Sequence, residues 1–142
     1  MANRWLFKTE PSAYSFQQLQ GDRKTVWDGV KNNLALKHLA GIKKGDSIFI
    51  YHTGDEKAVV GEAKALSEAY PDPAKTDPRL LVIEIEAGDA LPRPVTLAEI
   101  KANPKLKSFD LARLPRLSVM PVSEEQWKIV EEMALRPAPR IK

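Results

Sequence analysis

Four stretches of the chain gather residue types that can do chemistry at a useful spacing. In Trp5-Leu6-Phe7-Lys8-Thr9-Glu10-Pro11, a cation, a hydroxyl and an anion occupy consecutive positions after an apolar run. Pro11 holds the preceding residue extended and sets the exit direction. Three such groups within about 10 Å of strand can read the edge of a small polar ligand. In Val26-Trp27-Asp28-Gly29-Val30-Lys31-Asn32-Asn33, a large flat ring precedes a tight turn and a helix start. The turn lets backbone approach a ligand, the helix N-terminus favours negative charge, and the ring face suits a stacked base. In Ile48-Phe49-Ile50-Tyr51-His52-Thr53, alternation puts His52 on the inner side with Ile48 and Ile50. There it can exchange one hydrogen bond with a ligand. In Arg116-Leu117-Ser118-Val119-Met120-Pro121-Val122, the small Ser118 leaves room on its face. Each stretch also has a plain packing explanation: a solvated Lys–Glu pair, a core tryptophan, a satisfied histidine, an ordinary strand.

Enzyme templates find no support. G-x-S-x-G, the P-loop, G-x-G-x-x-G and H-E-x-x-H are all absent. The adjacent carboxylates Asp55 and Glu56 would point to opposite faces of a strand. With no cysteine there is no disulfide, thiolate metal site or cysteine nucleophile. Two histidines, His38 and His52, argue against a multi-histidine metal centre. The expectation is a protein that is not an enzyme and uses neither cofactor nor metal.

The elements that must position these groups follow from periodicity. Arg4–Lys8 reads as a strand with Trp5 and Phe7 on one face, ended by Pro11. Ser15 caps a short helix over Phe16–Gln20, closed by Gly21. Asn32–Ala40 is a helix with Asn32, Ala35, Leu36 and Leu39 along one side. After the turn at Lys44-Gly45-Asp46, strands follow over Ser47–His52, Ala58–Leu66 and Leu80–Glu86. Tyr70–Pro78, with three prolines and two aspartates in its first eight positions and last, reads as a loop. Thr96 and Glu99 form a capping box for a helix over Leu97–Ala102, stopped by Pro104. Arg116–Val122 is the last strand, and Ser123 with Gln126 opens a helix over Glu124–Ala134. Helices interrupt the strands without βαβ alternation, so the expected class is α+β: a curved, mixed or antiparallel sheet closing into a small barrel with flanking helices.

At 142 residues the chain fits one domain, taken as 1–135 with a loose tail over 136–142. Hydrophobic residues make up 43% and charged residues 29%, a globular composition. No apolar run approaches the roughly 18–20 residues that span a bilayer, and no signal-peptide pattern is present, so the expected location is the cytoplasm, with no membrane partner. The net charge of +3 is unevenly spread: +3 over residues 1–60, −4 over 61–100 and +4 over 101–142. If the basic ends meet, one face suits a polyanion; otherwise the surface is simply mixed.

Together, W-L-F-K-T-E-P, V-W-D-G-V-K-N, K-G-D-x-x-x-x-Y-H-T and R-L-S-V-x-P-V, in this order and spacing, resemble the EVE domain family in its bacterial single-domain form. The resemblance runs from Arg4 to about Met133. It implies a PUA-like fold of about five to six strands and a non-enzymatic nucleic-acid-binding role, since relatives read modified bases and eukaryotic members are associated with modified cytosine. By motif, it implies a base-binding pocket from Lys8, Thr9, Glu10, Trp27, Gly29, Asn32, Tyr51, His52, Thr53, Leu117 and Ser118. Weaker phosphate contacts fall to Lys31, Lys37, Arg113 and Arg116. Many relatives carry V-R-N-Y-Q-A-R where this chain has Val30–Leu36, so two arginines and an aromatic are missing, and Lys31 lacks the bidentate fork of arginine.

The leading expectation is therefore a monomeric reader of a modified nucleobase in DNA or RNA. A second is a binding protein for a small anionic metabolite or nucleoside, using the same cleft. A third, an enzyme on a nucleobase with Glu10 or His52 as acid or base, lacks the cysteines of zinc deaminases.

Overall fold

Leu6 and Phe7 have no exposed surface, and Trp5 is nearly covered. The first strand, β1 (Arg4–Thr9), therefore lies inside the sheet. The structure is a computed structural model and describes residues 3–137. After β1 come α1 (Phe16–Asp22), β2 (Lys24–Trp27), α2 (Asn33–Ala40), β3 (Ser47–His52), β4 (Ala58–Ala65) and β5 (Tyr70–Pro71). Then follow β6 (Leu81–Thr96), α3 (Leu97–Ala102), a 3₁₀ turn at Pro104–Leu106, α4 (Asp110–Arg113), β7 (Val119–Val122) and α5 (Glu124–Ala134). The strands form one mixed sheet in the order β2-β6-β4-β3-β1-β7, with β5 added to β6. Among the described residues only β1 and β3 pair in parallel, which requires the long crossover through α1, β2 and α2.

The α+β class and the mixed, curved sheet agree with the expectation. Closure does not: among the described residues no pairing joins β2 to β7, so the hydrogen-bonded path stays open. Seven strands form among the described residues, instead of five or six. One addition is β2, whose four residues are too short to show a period. Another is the two-residue β5 inside the expected loop. The strand expected to end at Glu86 continues to Thr96 despite Gly88, Pro92 and Pro94. Between the pairs Val59–Val95 and Gly61–Ala90, four residues of β6 stand opposite Val60 of β4, and this bulged stretch accommodates both prolines. Helix α1 runs through Gly21, α4 had no signal, and β7 starts only at Val119. The capping residues were legible: Ser15, Thr96 and Ser123 each close a capping box with Gln18, Glu99 and Gln126. The expected loose tail is held at its start, where Arg93 Nε donates to Arg136 O at 2.6 Å. The rest of that tail, 138–142, lies outside the described residues.

Trp5 and Asp46, residues of two of the motifs, serve the frame rather than a ligand. Asp46 of K-G-D is 2% exposed. Its carboxylate accepts from the Trp5 indole Nε1 at 2.9 Å, Lys43 N at 2.9 Å and Asn3 N at 3.0 Å. This ties the start of β1 to the turn before β3. Asp46→Ala leaves three donors short of a partner and is expected to lower stability by about 3 kcal/mol, read by urea denaturation.

Under α5, Phe49 stacks on Trp127 at 3.6 Å between ring centroids. Beside them, Glu62 of β4 faces Glu131 of α5, with Asp89 and Arg4 also acting on it. Burial first, then the hydrogen bond and charge of Glu131 and the charge of Asp89, push the Glu62 carboxyl up to about 7, against the pull of Arg4. In the unfolded chain the same group ionises near 4.5. Its contribution to stability is therefore intact below that value and lost as pH rises through about 7. Solvent reaches part of the pair, which reduces the effect to about 1 kcal/mol. Glu62→Gln is expected to be more stable than the wild type by that amount at pH 8, and equal to it at pH 4, in denaturation at the two pH values.

Candidate functional site

The parallel register of β1 and β3 brings two of the four motifs side by side. Lys8 stands opposite Tyr51 and Thr9 opposite His52, and Thr53 N donates to Thr9 O at 2.9 Å. On the other flank, Lys8 N donates to Ser118 O at 2.9 Å, adding the fourth motif. The second motif arrives through aromatic packing. The Trp27 ring tilts against Phe7 at 5.4 Å and meets the edge of Tyr14 at 6.1 Å. All four contribute around the end of β1, although 110 positions separate Lys8 from Ser118.

A cleft of about 550 Å³ opens there, lined by Lys8, Thr9, Glu10, Ala13, Tyr14, Thr25, Val26, Trp27 and Asp28. Its size suits a ligand of a few rings or fewer. Trp27 forms a wall from the end of β2 and is 8% exposed. Its neighbours are tilted or edge-on, so no protein ring lies parallel to it. Glu10 is fixed from three directions. Thr53 Oγ1 donates to Oε2 at 3.0 Å, while Ser12 Oγ and Ser12 N approach Oε1 at 3.2 and 3.5 Å. The Thr53 hydroxyl first, then the Ser12 amide, hold the Glu10 carboxyl below the usual range, so it is an ionised acceptor. The Lys8 ammonium donates to Pro115 O at 3.0 Å and lies 5.7 Å above the Tyr51 ring. Burial lowers its pKa. Thr9 is committed, its hydroxyl donating to Tyr14 O at 2.7 Å. The cleft thus offers a ring face, a fixed anion, a cation with further donors, and the hydroxyl of Thr25. Tyr14 closes one side through its hydroxyl, which donates to Asp22 at 2.8 Å.

Four expected residues therefore line this cleft: Lys8, Thr9, Glu10 and Trp27. Others support it from behind. Tyr51 is buried under Lys8, Thr53 positions Glu10, and Ser118 contributes its backbone carbonyl to β1. His52 corrects the expectation most plainly. It is 2% exposed. Its Nε2 accepts the Phe16 amide at 2.9 Å, and Nδ1 meets Glu56 Oε1 at 2.6 Å. An accepting Nε2 carries no proton, so the proton sits on Nδ1 and is donated to Glu56. Both ring nitrogens are therefore bonded within the protein, Nε2 to the start of α1 and Nδ1 to Glu56.

Gly29 and Asn32 do not line the cleft. Gly29, at φ 79°, takes the left-handed turn that leads from Trp27 towards α2. Asn32 Oδ1 caps that helix by accepting from Ala35 N at 3.0 Å. Asn32 and Leu117 instead line a separate cleft with Leu34, Leu114, Pro115 and Arg116. Among the basic residues, Lys31, Lys37 and Arg116 are exposed. Arg113 is paired with Asp110 at 2.9 Å. Sequence reasoning missed Ala13, Tyr14, Thr25, Val26 and Asp28. Alternation would have put Thr25 on the Trp27 face had β2 been recognised. Among the described residues no cluster of three His, Asp or Glu could hold a metal ion, and no helix is long and apolar enough to cross a membrane.

Known proteins share this fold across the chain. Rpa0253 from Rhodopseudomonas palustris superposes with a TM-score of 0.88 at 39% identity, covering 94% of this chain and 93% of that one. Human THYN1, whose structure is a complex with DNA containing 5-methylcytosine, superposes with a TM-score of 0.88 at 26% identity, covering 96% and 99%. Rat thymocyte nuclear protein 1 is 29% identical over 164 residues, 92% of this chain and 73% of the rat protein. The fold is thus the α+β, PUA-like fold of these relatives, and the EVE domain profile matches residues 3–133: the chain belongs to the EVE domain family.

Proposed function

We propose that this protein is a non-enzymatic nucleic-acid-binding module that holds one modified base in the Trp27 cleft. The observation that carries the reading is the convergence of Trp27, Lys8 and a fixed, ionised Glu10 in one cleft, in a chain similar over nearly its whole length to a protein that binds 5-methylcytosine DNA. The base leaves its stack and lies on the Trp27 ring. Glu10 accepts from an exocyclic amine, and Lys8 or Thr25 donates to a ring carbonyl or nitrogen. A methyl group packs near Ala13 and Val26. One buried methyl is worth about 0.8 kcal/mol, so discrimination from the methyl alone is about fourfold. Lys31 and Arg116 meet the backbone phosphates, with Lys37 and Arg113 contributing at longer range. The protein works as a monomer in the cytoplasm.

A small anionic metabolite fits the cleft less well. Glu10 is ionised there and Asp28 stands beside it, so two carboxylates oppose one Lys8. The helix N-terminus that could help an anion belongs to α2, whose cap, Asn32, is outside this cleft.

The test is to purify the tagged protein from its own cells, digest the bound nucleic acid and quantify its nucleosides by mass spectrometry. One modified nucleoside should be enriched over input. Binding of a single-stranded oligonucleotide carrying that base should weaken about sevenfold between 50 and 200 mM salt if two phosphates are neutralised. No nucleic acid in the preparation, together with salt-independent binding of a free nucleoside, would move the assignment to the metabolite reading.

A further inference from the structure

The second cleft is not explained by a single-base site. It measures about 290 Å³ and is walled by Leu34, Leu114, Pro115 and Leu117, with Asn32 and Arg116 at its rim. Leu34 is 44% exposed. Among the described residues it is one of three exposed large hydrophobics, with Val26 and Leu135. Val26 lines the Trp27 cleft, so two of the three belong to the two clefts. The clefts also meet at Lys8, which lines the first while its ammonium bonds Pro115 O of the second at 3.0 Å, so this contact forms a shared wall.

We infer that the Leu34–Pro115 cleft takes the base next to the one in the Trp27 cleft, on the same strand. The inference rests on the base-binding reading of the Trp27 cleft. Apolar side chains such as leucine and proline pack against base faces once the stack is opened. A strand with one base in each cleft must carry its linking phosphate across the shared wall, where the Lys8 ammonium stands with Arg116 beside it. The charge is complementary there, whereas the cleft floor is apolar. Apolar walls cannot read a base edge, so this site takes any base, and Asn32, with its oxygen committed to the helix cap, offers only its amide N–H groups. The cleft raises affinity for a strand over a free nucleoside without adding sequence preference.

Three trinucleotides with a central 5-methylcytosine separate the possibilities: one with both flanking bases, one abasic on the 5′ side and one abasic on the 3′ side. With the wild type, losing one particular flank should weaken binding about fivefold, and losing the other by less than twofold. Leu34→Ala, a change at an exposed site that leaves the fold intact by circular dichroism, should abolish the sensitive flank's effect. Its affinity for the probe lacking that flank should stay within twofold of the wild type. If both abasic probes bind the wild type like the intact one, or Leu34→Ala weakens all three alike, the inference is overturned while the Trp27 reading stands. If the wild type binds none of the three, both fall.

Discussion

Alanine at position 61 is expected to cost the fold about 3 kcal/mol, although it adds only one methyl group. Gly61 sits in β4 opposite Ile50 of β3 and Ala90 of β6. A Cβ there would stand 2.2 Å from Phe16 Cζ and 2.5 Å from both Cε atoms. The ring cannot easily retreat. Phe16 is 1% exposed, opens α1, and donates its backbone N–H to His52 Nε2 at 2.9 Å. Relief therefore requires α1 to move off the sheet, breaking that hydrogen bond or forcing off-rotamer packing, in the range known for overpacked cores. Tyr14, just before α1, would shift with it and distort the cleft. The control is Phe16→Leu. If the clash is the cause, Gly61→Ala in that background should cost less than in the wild type, a coupling of at least 1 kcal/mol in a double-mutant cycle. Additive costs would mean that the glycine serves the bulge rather than the ring.

Trp27→Leu is expected to weaken binding of the modified base by roughly 5- to 150-fold, the range corresponding to loss of about 1–3 kcal/mol of stacking. Leucine is chosen over alanine because Trp27 is almost fully buried and packs on Phe7. Truncating a buried tryptophan to alanine costs about 3–5 kcal/mol in stability. Leucine keeps apolar volume against Phe7 and removes the ring face. Binding is read by anisotropy of a labelled oligonucleotide, with folding checked by denaturation under the same conditions. A folded Trp27→Leu protein that binds like the wild type would remove stacking from the mechanism. Glu10→Gln offers an independent measure: the amide still accepts a hydrogen bond but loses its charge, so a protonated or amine-bearing base edge should bind several-fold more weakly.

The elements near caps were the most legible from sequence, because a cap is a local interaction. Ser15, Thr96 and Ser123 each accept from the backbone N–H three positions on, whereas Asn32, read as the first helical residue, is the cap of α2. The strand β3 and the helix α5 were likewise readable from their periods. What failed was long-range. β2 became a strand because β6 pairs with all four of its residues, from Lys24 opposite Glu86 to Trp27 opposite Ile83. β6 passes two prolines because β4 shifts register beside Gly61. Neither partner is visible within a local window.

The site divides in the same way. Lys8, Glu10 and Trp27 could be picked out from residue type and neighbours alone, since a cation and an anion at a strand end and a tryptophan before Asp-Gly are local facts. Local pattern also put His52 on the inner side of its strand, and it is indeed buried. Whether that imidazole faces a ligand or the backbone of α1 depends on where residue 16 arrives, and the crossover between two parallel strands settles that in favour of the Phe16 amide. The separation of Asn32 and Leu117 from the Trp27 cleft has the same origin. Pairing of β1 with β7 carries Pro115 to the Lys8 ammonium, which splits one expected pocket into two. Chain-local chemistry names candidate groups, because propensity and hydrogen-bonding type belong to single residues. Their partners are assigned by sheet register and crossover, because those contacts join residues tens of positions apart.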